Sequence, residues 1–261
     1  MELKLWNNTI PYEKEDAVTP NKMTTFLLDT DKPLPCVVVF PGGGYRNHAA
    51  HEGAPFAEYF NSQGLHAVVV EYRVTPNYHP APLADAQRAI RLVRHHAKEL
   101  NVDPDKIVVC GSSAGGHLSA SALVFPETYP ETPTDEIDKL DCRPNGAVLC
   151  YAVTDVGVEI GHVGSGLRLL GEERYLKHGK EICLSQYVTD KTPPVFLFHT
   201  SDDQTVNVRN SLTFASALRD HNVPFEMHIF PHGVHGVGIC EKDPVIHQWA
   251  RMAADWIKRT I

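Results

Sequence analysis

Ser113 stands in Gly111-Ser112-Ser113-Ala114-Gly115, directly after the apolar run Val108-Val109-Cys110 and directly before the small-residue stretch Gly116-His117-Leu118. A serine hydroxyl is a poor nucleophile at neutral pH unless a base takes its proton and a third group orients that base. On a tight turn from strand to helix its hydroxyl is presented at the head of the helix, the arrangement called a nucleophile elbow. Flanking glycines suit that turn, because strand and helix approach so closely that a Cβ would intervene. The five-residue pattern is weak by itself, since glycine and serine are common residues. The strand before it and the helix after it raise its value. Ser112 occupies the variable position and reads as a packed or capping hydroxyl.

With an elbow, the chain order of the assisting groups is serine, then acid, then histidine. The sequence supplies that order. Asp203 is the first choice for the acid, in Thr200-Ser201-Asp202-Asp203-Gln204-Thr205-Val206 after the strand-like run Val195 to His199. Asp202 reads as closing that loop. Asp155, after a strand ending at Tyr151, competes for the acid role, and its plainer reading is a loop-closing or N-cap residue. His235 is the first choice for the base, in Phe230-Pro231-His232-Gly233-Val234-His235-Gly236. His232 reads as exposed or as a neighbour of the site.

Acyl transfer also needs donors for the oxyanion that develops on the substrate carbonyl. The run Gly42-Gly43-Gly44 follows the apolar stretch Cys36 to Phe40 and offers the unobstructed N–H groups of Gly43 and Gly44. Ala114 offers the other, at a helix N-terminus where the dipole favours negative charge. A merely flexible loop is the alternative reading of the glycines. Chemistry of this kind requires no cofactor.

Other chemistries find less support. Six cysteines show no metal-like spacing, and Cys36, Cys110 and Cys150 lie in apolar runs that read as buried reduced thiols. His228, His232 and His235 straddle a strand end and a Pro-Gly loop, without the helical spacing of a zinc site, and no metal is expected. The net charge of −8 argues against nucleic acid and anionic membrane surfaces as partners. No apolar stretch approaches a membrane span and the first residues resemble no signal peptide, so the expectation is a cytoplasmic protein. Self-association is left open.

The 261 residues suffice for one large α/β domain, and no linker or internal repeat divides them. Strand and helix signals alternate, which predicts a mostly parallel sheet with helices on both faces. Strands are expected over 2–10, 22–29, 36–40, 66–72, 107–110, 147–151, 195–199 and 225–230. Helices are expected over 53–63, 83–100 and 209–221, with a C-terminal one whose face carries Val245, Trp249, Met252 and Trp256. Residues 126–145 and 155–190 break the alternation and read as small lid or cap insertions near the site.

With those residues placed, the chain resembles an α/β-hydrolase from about residue 35 to its end. More narrowly it resembles the esterase/lipase group related to acetyl xylan esterases and hormone-sensitive-lipase-like carboxylesterases. Pro-Gly-Gly-Gly-Tyr at 41–45 is similar to that family's His-Gly-Gly-Gly oxyanion motif, with Pro41 in place of the histidine as in its sugar-esterase-like branch. Glu71-Tyr72-Arg73-Val74-Thr75-Pro76 is similar to its Tyr-Arg-Leu-Ala-Pro element, and residues 111–118 closely match its elbow. The acid loop resembles His-Gly-x-x-Asp-x-x-Val, which carries the acid role onto Asp203, although Thr200 and Asn207 depart from the pattern. Arg73 and His117 read as structural members of these motifs. Tyr45 is a candidate substrate contact that either lines an acyl pocket or covers the loop.

The resemblance implies a serine carboxylesterase acting on short acyl esters, acetyl first, of a sugar or oligosaccharide. An amide or peptide hydrolase of the formamidase or prolyl-peptidase-like kind would use the same residues. A non-catalytic ligand receptor on the same scaffold is a third reading, disfavoured because serine, acid and histidine are all available.

Overall fold

The computed structural model describes every residue except 8, 16, 18, 126, 158, 180 and 181. Five of these, Asn8, Pro126, Val158, Lys180 and Glu181, fall inside the expected first strand and the two expected insertions, and so lie outside the described residues. Among the described residues eight strands form one sheet. They are β1 (Glu2–Lys4), β2 (Lys22–Phe26), β3 (Leu34–Phe40), β4 (His66–Glu71), β5 (Val102–Ser112), β6 (Gly146–Cys150), β7 (Val195–Thr200) and β8 (Phe225–Phe230). Their spatial order is β1-β2-β4-β3-β5-β6-β7-β8. β1 and β2 pair antiparallel, as do β2 and β4, and every pairing from β4 to β8 is parallel.

The central strands are apolar where both of their faces are covered, over residues 36–40 of β3, 107–110 of β5, 146–150 of β6 and 195–198 of β7. Alternate residues point to opposite layers. Val38, Phe40, Val109, Leu149 and Leu197 pack in one layer with α2 (Ala81–His95), α3 (Ser113–Val124) and α6 (Arg209–Asp220). Val37, Val39, Val108, Cys110, Val148, Phe196 and Phe198 pack in the other with α1 (Ala54–Ser62) and α7 (Gln248–Thr260). There the rings of Phe198 and Trp249 stack at 4.9 Å, 3° from parallel. All six cysteines are free thiols, and Cys36, Cys110, Cys142 and Cys150 are buried.

Several expected elements differ in extent. β1 stops at Lys4 because Leu5 and Trp6 turn inward, where the Trp6 indole N–H donates to Asp85 at 2.8 Å. α2 stops at His95, and Ala97 and Leu100 stay buried in the turn that follows. Asn101 closes that turn in the left-handed region (φ 54°), which asparagine tolerates better than most residues. Residues 155–190 contain two helices the sequence reading left out, α4 (Val163–Leu170) and α5 (Glu172–His178). Two glycines within the eight residues of α4 obscure its periodicity.

The two insertions sit differently. The 126–145 segment is fastened along α2: the Arg88 guanidinium donates to Asp135 and Asp138 at 2.6–2.7 Å, and Arg91 donates to the Leu140 carbonyl at 2.8 Å. The 155–190 segment is the one that reaches the glycine run, where Arg168 Nη1 donates to the Gly44 carbonyl at 3.3 Å.

Candidate active site

β5 stays in ladder register through Ser112, which is paired with Cys150, and then the chain breaks upward. Ser113 has φ 53°, a region a side-chain-bearing residue seldom occupies, and α3 starts at that residue. The neighbouring glycines permit the turn. A Cβ on Gly115 would lie 2.0 Å from the Phe40 carbonyl oxygen, and one on Gly111 would lie 2.1 Å from the Gly115 carbonyl oxygen. Strand and helix therefore touch backbone to backbone. The Val153 N–H donates to the Ser113 carbonyl at 3.0 Å and ties the turn to the end of β6.

The loops after β7 and β8 lie side by side. Thr200 Oγ1 donates to the Gly233 carbonyl at 2.8 Å, and the Gly233 N–H donates to Asp202 at 2.9 Å. This lacing brings His235 between Ser113 and Asp203. His235 Nε2 is 2.9 Å from Ser113 Oγ, and Nδ1 is 2.6 Å from Asp203 Oδ2. An ionised carboxylate only accepts, so Nδ1 carries the proton and Nε2 is left to accept from the serine hydroxyl.

Asp203 Oδ1 accepts the N–H groups of Thr205 and Val206 at 2.8 and 2.9 Å. Burial alone would raise its pKa. Hydrogen bonds from His199, His235 and the Val206 N–H outweigh burial and hold the carboxyl well below the usual carboxylate range.

The competing residues are engaged elsewhere. Asp155 Oδ1 accepts the Gly157 N–H and its carbonyl accepts the His162 N–H at 3.0 Å, so it closes its own loop. Asp202 pairs with the exposed His232 at 3.0 Å, and His228 pairs with Glu226 at 2.9 Å. Among the described residues no group of three His, Cys, Asp or Glu could hold a metal ion.

Gly42 packs against the elbow, where a Cβ would lie 3.1 Å from Ser113 Cβ. Its N–H is already given to Glu52 at 2.8 Å. The N–H groups of Gly43 and Gly44 have no acceptor among the described residues. The Ala114 N–H, in the first turn of α3, has no partner within its helix. Gly43 (φ 127°) could not be replaced without strain, and a Cβ there would fall 2.0 Å from the Asn47 carbonyl oxygen.

Tyr45, expected as a substrate contact, requires correction. Its side chain is 1 % exposed and its hydroxyl is 2.9 Å from His117 Nδ1. It packs behind the glycine run, edge-on to the rings of Tyr72 and His117, and offers no surface to a substrate. Burial also pushes the His117 pKa down to about 3, so the imidazole is a neutral partner of that hydroxyl.

Sequence reasoning missed four neighbours of the site. Glu52 and Tyr151 are buried behind it, and Arg168 and Ser165 stand beside Gly44. Nothing in their spacing marks them. A glutamate ahead of α1 reads only as a residue favoured by a helix N-terminus.

The arrangement can move a proton from Ser113 to His235 and can offer backbone N–H groups to an oxygen beside Ser113. Comparison with known proteins adds context. The family model BD-FAE matches residues 27–218. The chain is 34 % identical over 245 residues to an endo-1,4-beta-xylanase B of Butyrivibrio fibrisolvens, covering 92 % of this chain and 38 % of that protein. It is 31 % identical over 261 residues to an acetylxylan esterase of Xylanibacter ruminicola, covering 93 % of this chain and 51 % of that protein. The chain thus spans well under two thirds of the length of either relative.

Among solved structures it is similar to an acetyl ester-xyloside bifunctional hydrolase from Caldicellulosiruptor lactoaceticus, with 43 % identity, TM-score 0.93, and 99 % and 96 % of the two chains covered. It is also similar to a thermophilic esterase from Thermogutta terrifontis in its propionate-bound form, with 28 % identity, TM-score 0.77, and 95 % and 92 % covered.

Proposed function

The chain belongs to the BD-FAE family and carries the α/β-hydrolase fold, and from that premise we propose that it is a serine carboxylesterase. Its substrates are short-chain acyl esters, acetyl foremost, of sugars or oligosaccharides. The observation that carries the reading is the His235 imidazole between Ser113 and Asp203. The relatives named for acetyl ester and acetylxylan hydrolysis support the substrate class.

In this reading Ser113 Oγ attacks the ester carbonyl carbon while His235 Nε2 takes its proton. The N–H groups of Gly43, Gly44 and Ala114 hold the oxyanion. The C–O bond to the alcohol breaks as Nε2 returns the proton to the leaving oxygen. Water then attacks the acyl-enzyme, with its proton passing to Nε2, and the acid leaves as Ser113 recovers its hydrogen. Asp203 keeps the imidazole in one tautomer and stabilises its charged form.

Arg168 and Ser165 flank Gly44. A Cβ there would lie 3.1 Å from Arg168 Nη1 and 3.9 Å from Ser165 Oγ.

The test compares p-nitrophenyl esters of rising chain length and acetylated xylo-oligosaccharides with formyl and aminoacyl amides, alongside fluorophosphonate labelling and peptide mapping. Expected are turnover of acetyl esters, label on Ser113, and loss of both in Ser113→Ala. Hydrolysis of amides with no ester turned over would replace the reading with an amidase. Near-intact turnover by Ser113→Ala would remove Ser113 as the nucleophile.

A further inference from the structure

Glu52 is 2 % exposed, and neither of its oxygens is hydrogen-bonded to a cation. His51 Nε2 stands 3.7 Å from Oε1, beyond hydrogen-bond range, and is itself 2.9 Å from the Gly236 carbonyl. Oε2 accepts the Gly42 N–H at 2.8 Å, and Oε1 accepts the Tyr151 hydroxyl at 2.8 Å. That hydroxyl in turn accepts the Gly238 N–H at 3.1 Å. The Tyr151 ring meets the His235 ring edge-on, with centroids 5.2 Å apart. One continuous set of contacts therefore runs from the glycine run to the loop and the ring of the base.

Two details mark this link as more than packing. Gly42 joins it to the nucleophile: a Cβ there would be 2.5 Å from Glu52 Oε2 and 3.1 Å from Ser113 Cβ. Tyr151 holds φ 37°, a strained backbone for a residue with a side chain, and such strain persists only where the surroundings enforce it. Burial first, and then the Glu52 charge, push its pKa well above the usual tyrosine value, so its hydroxyl stays protonated and donates.

We propose that Glu52 is a positioning residue: through Gly42 on one side and Tyr151 and Gly238 on the other, it sets the oxyanion donors and His235 relative to Ser113 without touching substrate. This rests on the ester-hydrolase reading above. Because donors must be aimed at where charge develops, a small displacement costs rate more than binding.

The test uses Glu52→Gln, which keeps the side chain's shape, Tyr151→Phe, which removes only the bridging hydroxyl, and the double variant. kcat and KM are measured on p-nitrophenyl acetate, fluorophosphonate labelling of Ser113 is timed by intact mass, and Tm is recorded. Glu52→Gln is expected to lose about 10- to 100-fold in kcat, and to be labelled correspondingly more slowly, with KM within about threefold. Tyr151→Phe should show the same pattern at about 3- to 10-fold, and the double variant should be no slower than Glu52→Gln.

A residue that only supports the fold would lower Tm and leave kcat and labelling rate of the folded protein unchanged; that outcome overturns the proposal. Losses that multiply in the double variant, or that appear in KM alone, overturn it as well. Wild-type protein that neither hydrolyses esters nor takes the label would instead refute the ester-hydrolase reading, and the positioning role would fall with it.

Discussion

His199 shares Asp203 with His235. Its Nε2 lies 3.4 Å from Asp203 Oδ2 and 3.0 Å from the Val206 carbonyl, while its Nδ1 lies 2.8 Å from the Ser211 hydroxyl. A carbonyl only accepts, so the His199 proton sits on Nε2 and faces the carboxylate edge. With Thr205 and Val206 N–H groups on Oδ1, the hydrogen-bonded neighbours of the Asp203 carboxylate are all donors. The carboxylate thereby stays ionised and the His235 proton stays on Nδ1.

Asp203→Asn places an amide N–H against those donors and removes the preference for one tautomer of His235. We expect kcat on p-nitrophenyl acetate to fall by about 10⁴-fold with little change in KM, measured against wild type at pH 7. The stability consequence has a definite sign. A carboxyl whose folded pKa lies below its unfolded value of about 3.9 contributes stability that is complete above that value and is lost as pH falls through the folded one. The gap in urea midpoint between wild type and variant should hold from pH 5 to 8 and narrow below about pH 4.

Tyr45→Phe separates a buried support from a substrate contact. The ring is kept and only the hydroxyl facing His117 is lost. That leaves Ser121 Oγ, 3.4 Å away, as the remaining partner of His117 Nδ1, at a cost of about 1 kcal/mol in unfolding free energy. KM for acetyl esters should stay within about twofold. A several-fold rise in KM without a change in stability would return Tyr45 to the substrate pocket.

Asp85→Ala removes the partner of Arg73, and both side chains are fully buried. Two hydrogen bonds of 2.7–2.8 Å between the side chains would go, along with the acceptor for the Trp6 indole. An unpaired buried guanidinium costs about 3–5 kcal/mol, read as a drop in the denaturant midpoint. A loss under 1 kcal/mol would mean that water or carbonyls such as Pro11, already 2.6 Å from Nη1, can take over.

Ser113, Asp203 and His235 were legible because each follows an apolar strand at a turn; chain order fits Asp155 and His232 equally well, and it was the loop after the 195–199 strand, with its motif resemblance, and the Gly236 that follows His235 that favoured Asp203 and His235. Strand positions were legible for the same reason: residues 36–40 of β3, 107–110 of β5, all of β6 and 195–198 of β7 are buried apolar runs, whereas the Asp103 to Lys106 stretch of β5 carries no such signal. Glu52 was not legible, because its role arises where three loops distant in sequence meet, and a carboxylate in the sequence carries no sign of burial. Tyr45 illustrates a related limit. An aromatic residue after three glycines can face either side of the loop, and the left-handed backbone at 45 (φ 58°) is settled by the packing of Tyr72 and His117.

Arg168→Ala tests whether the 155–190 insertion sets acyl length. The guanidinium is anchored to the carbonyls of Gly44 and Gly164 at 3.3 and 3.1 Å, and with Ser165 it walls Gly44. Truncation opens that wall while leaving the N–H groups of Gly43 and Gly44 in place. Each methylene accommodated in an apolar pocket is worth about 1–3 kcal/mol of discrimination. The ratio of kcat/KM for propionate, one methylene longer, over acetate should therefore rise by about tenfold. Activity falling equally on all chain lengths would instead mean that Arg168 holds the glycine run in shape, and acyl selection would then have to be sought in other residues around Ser113.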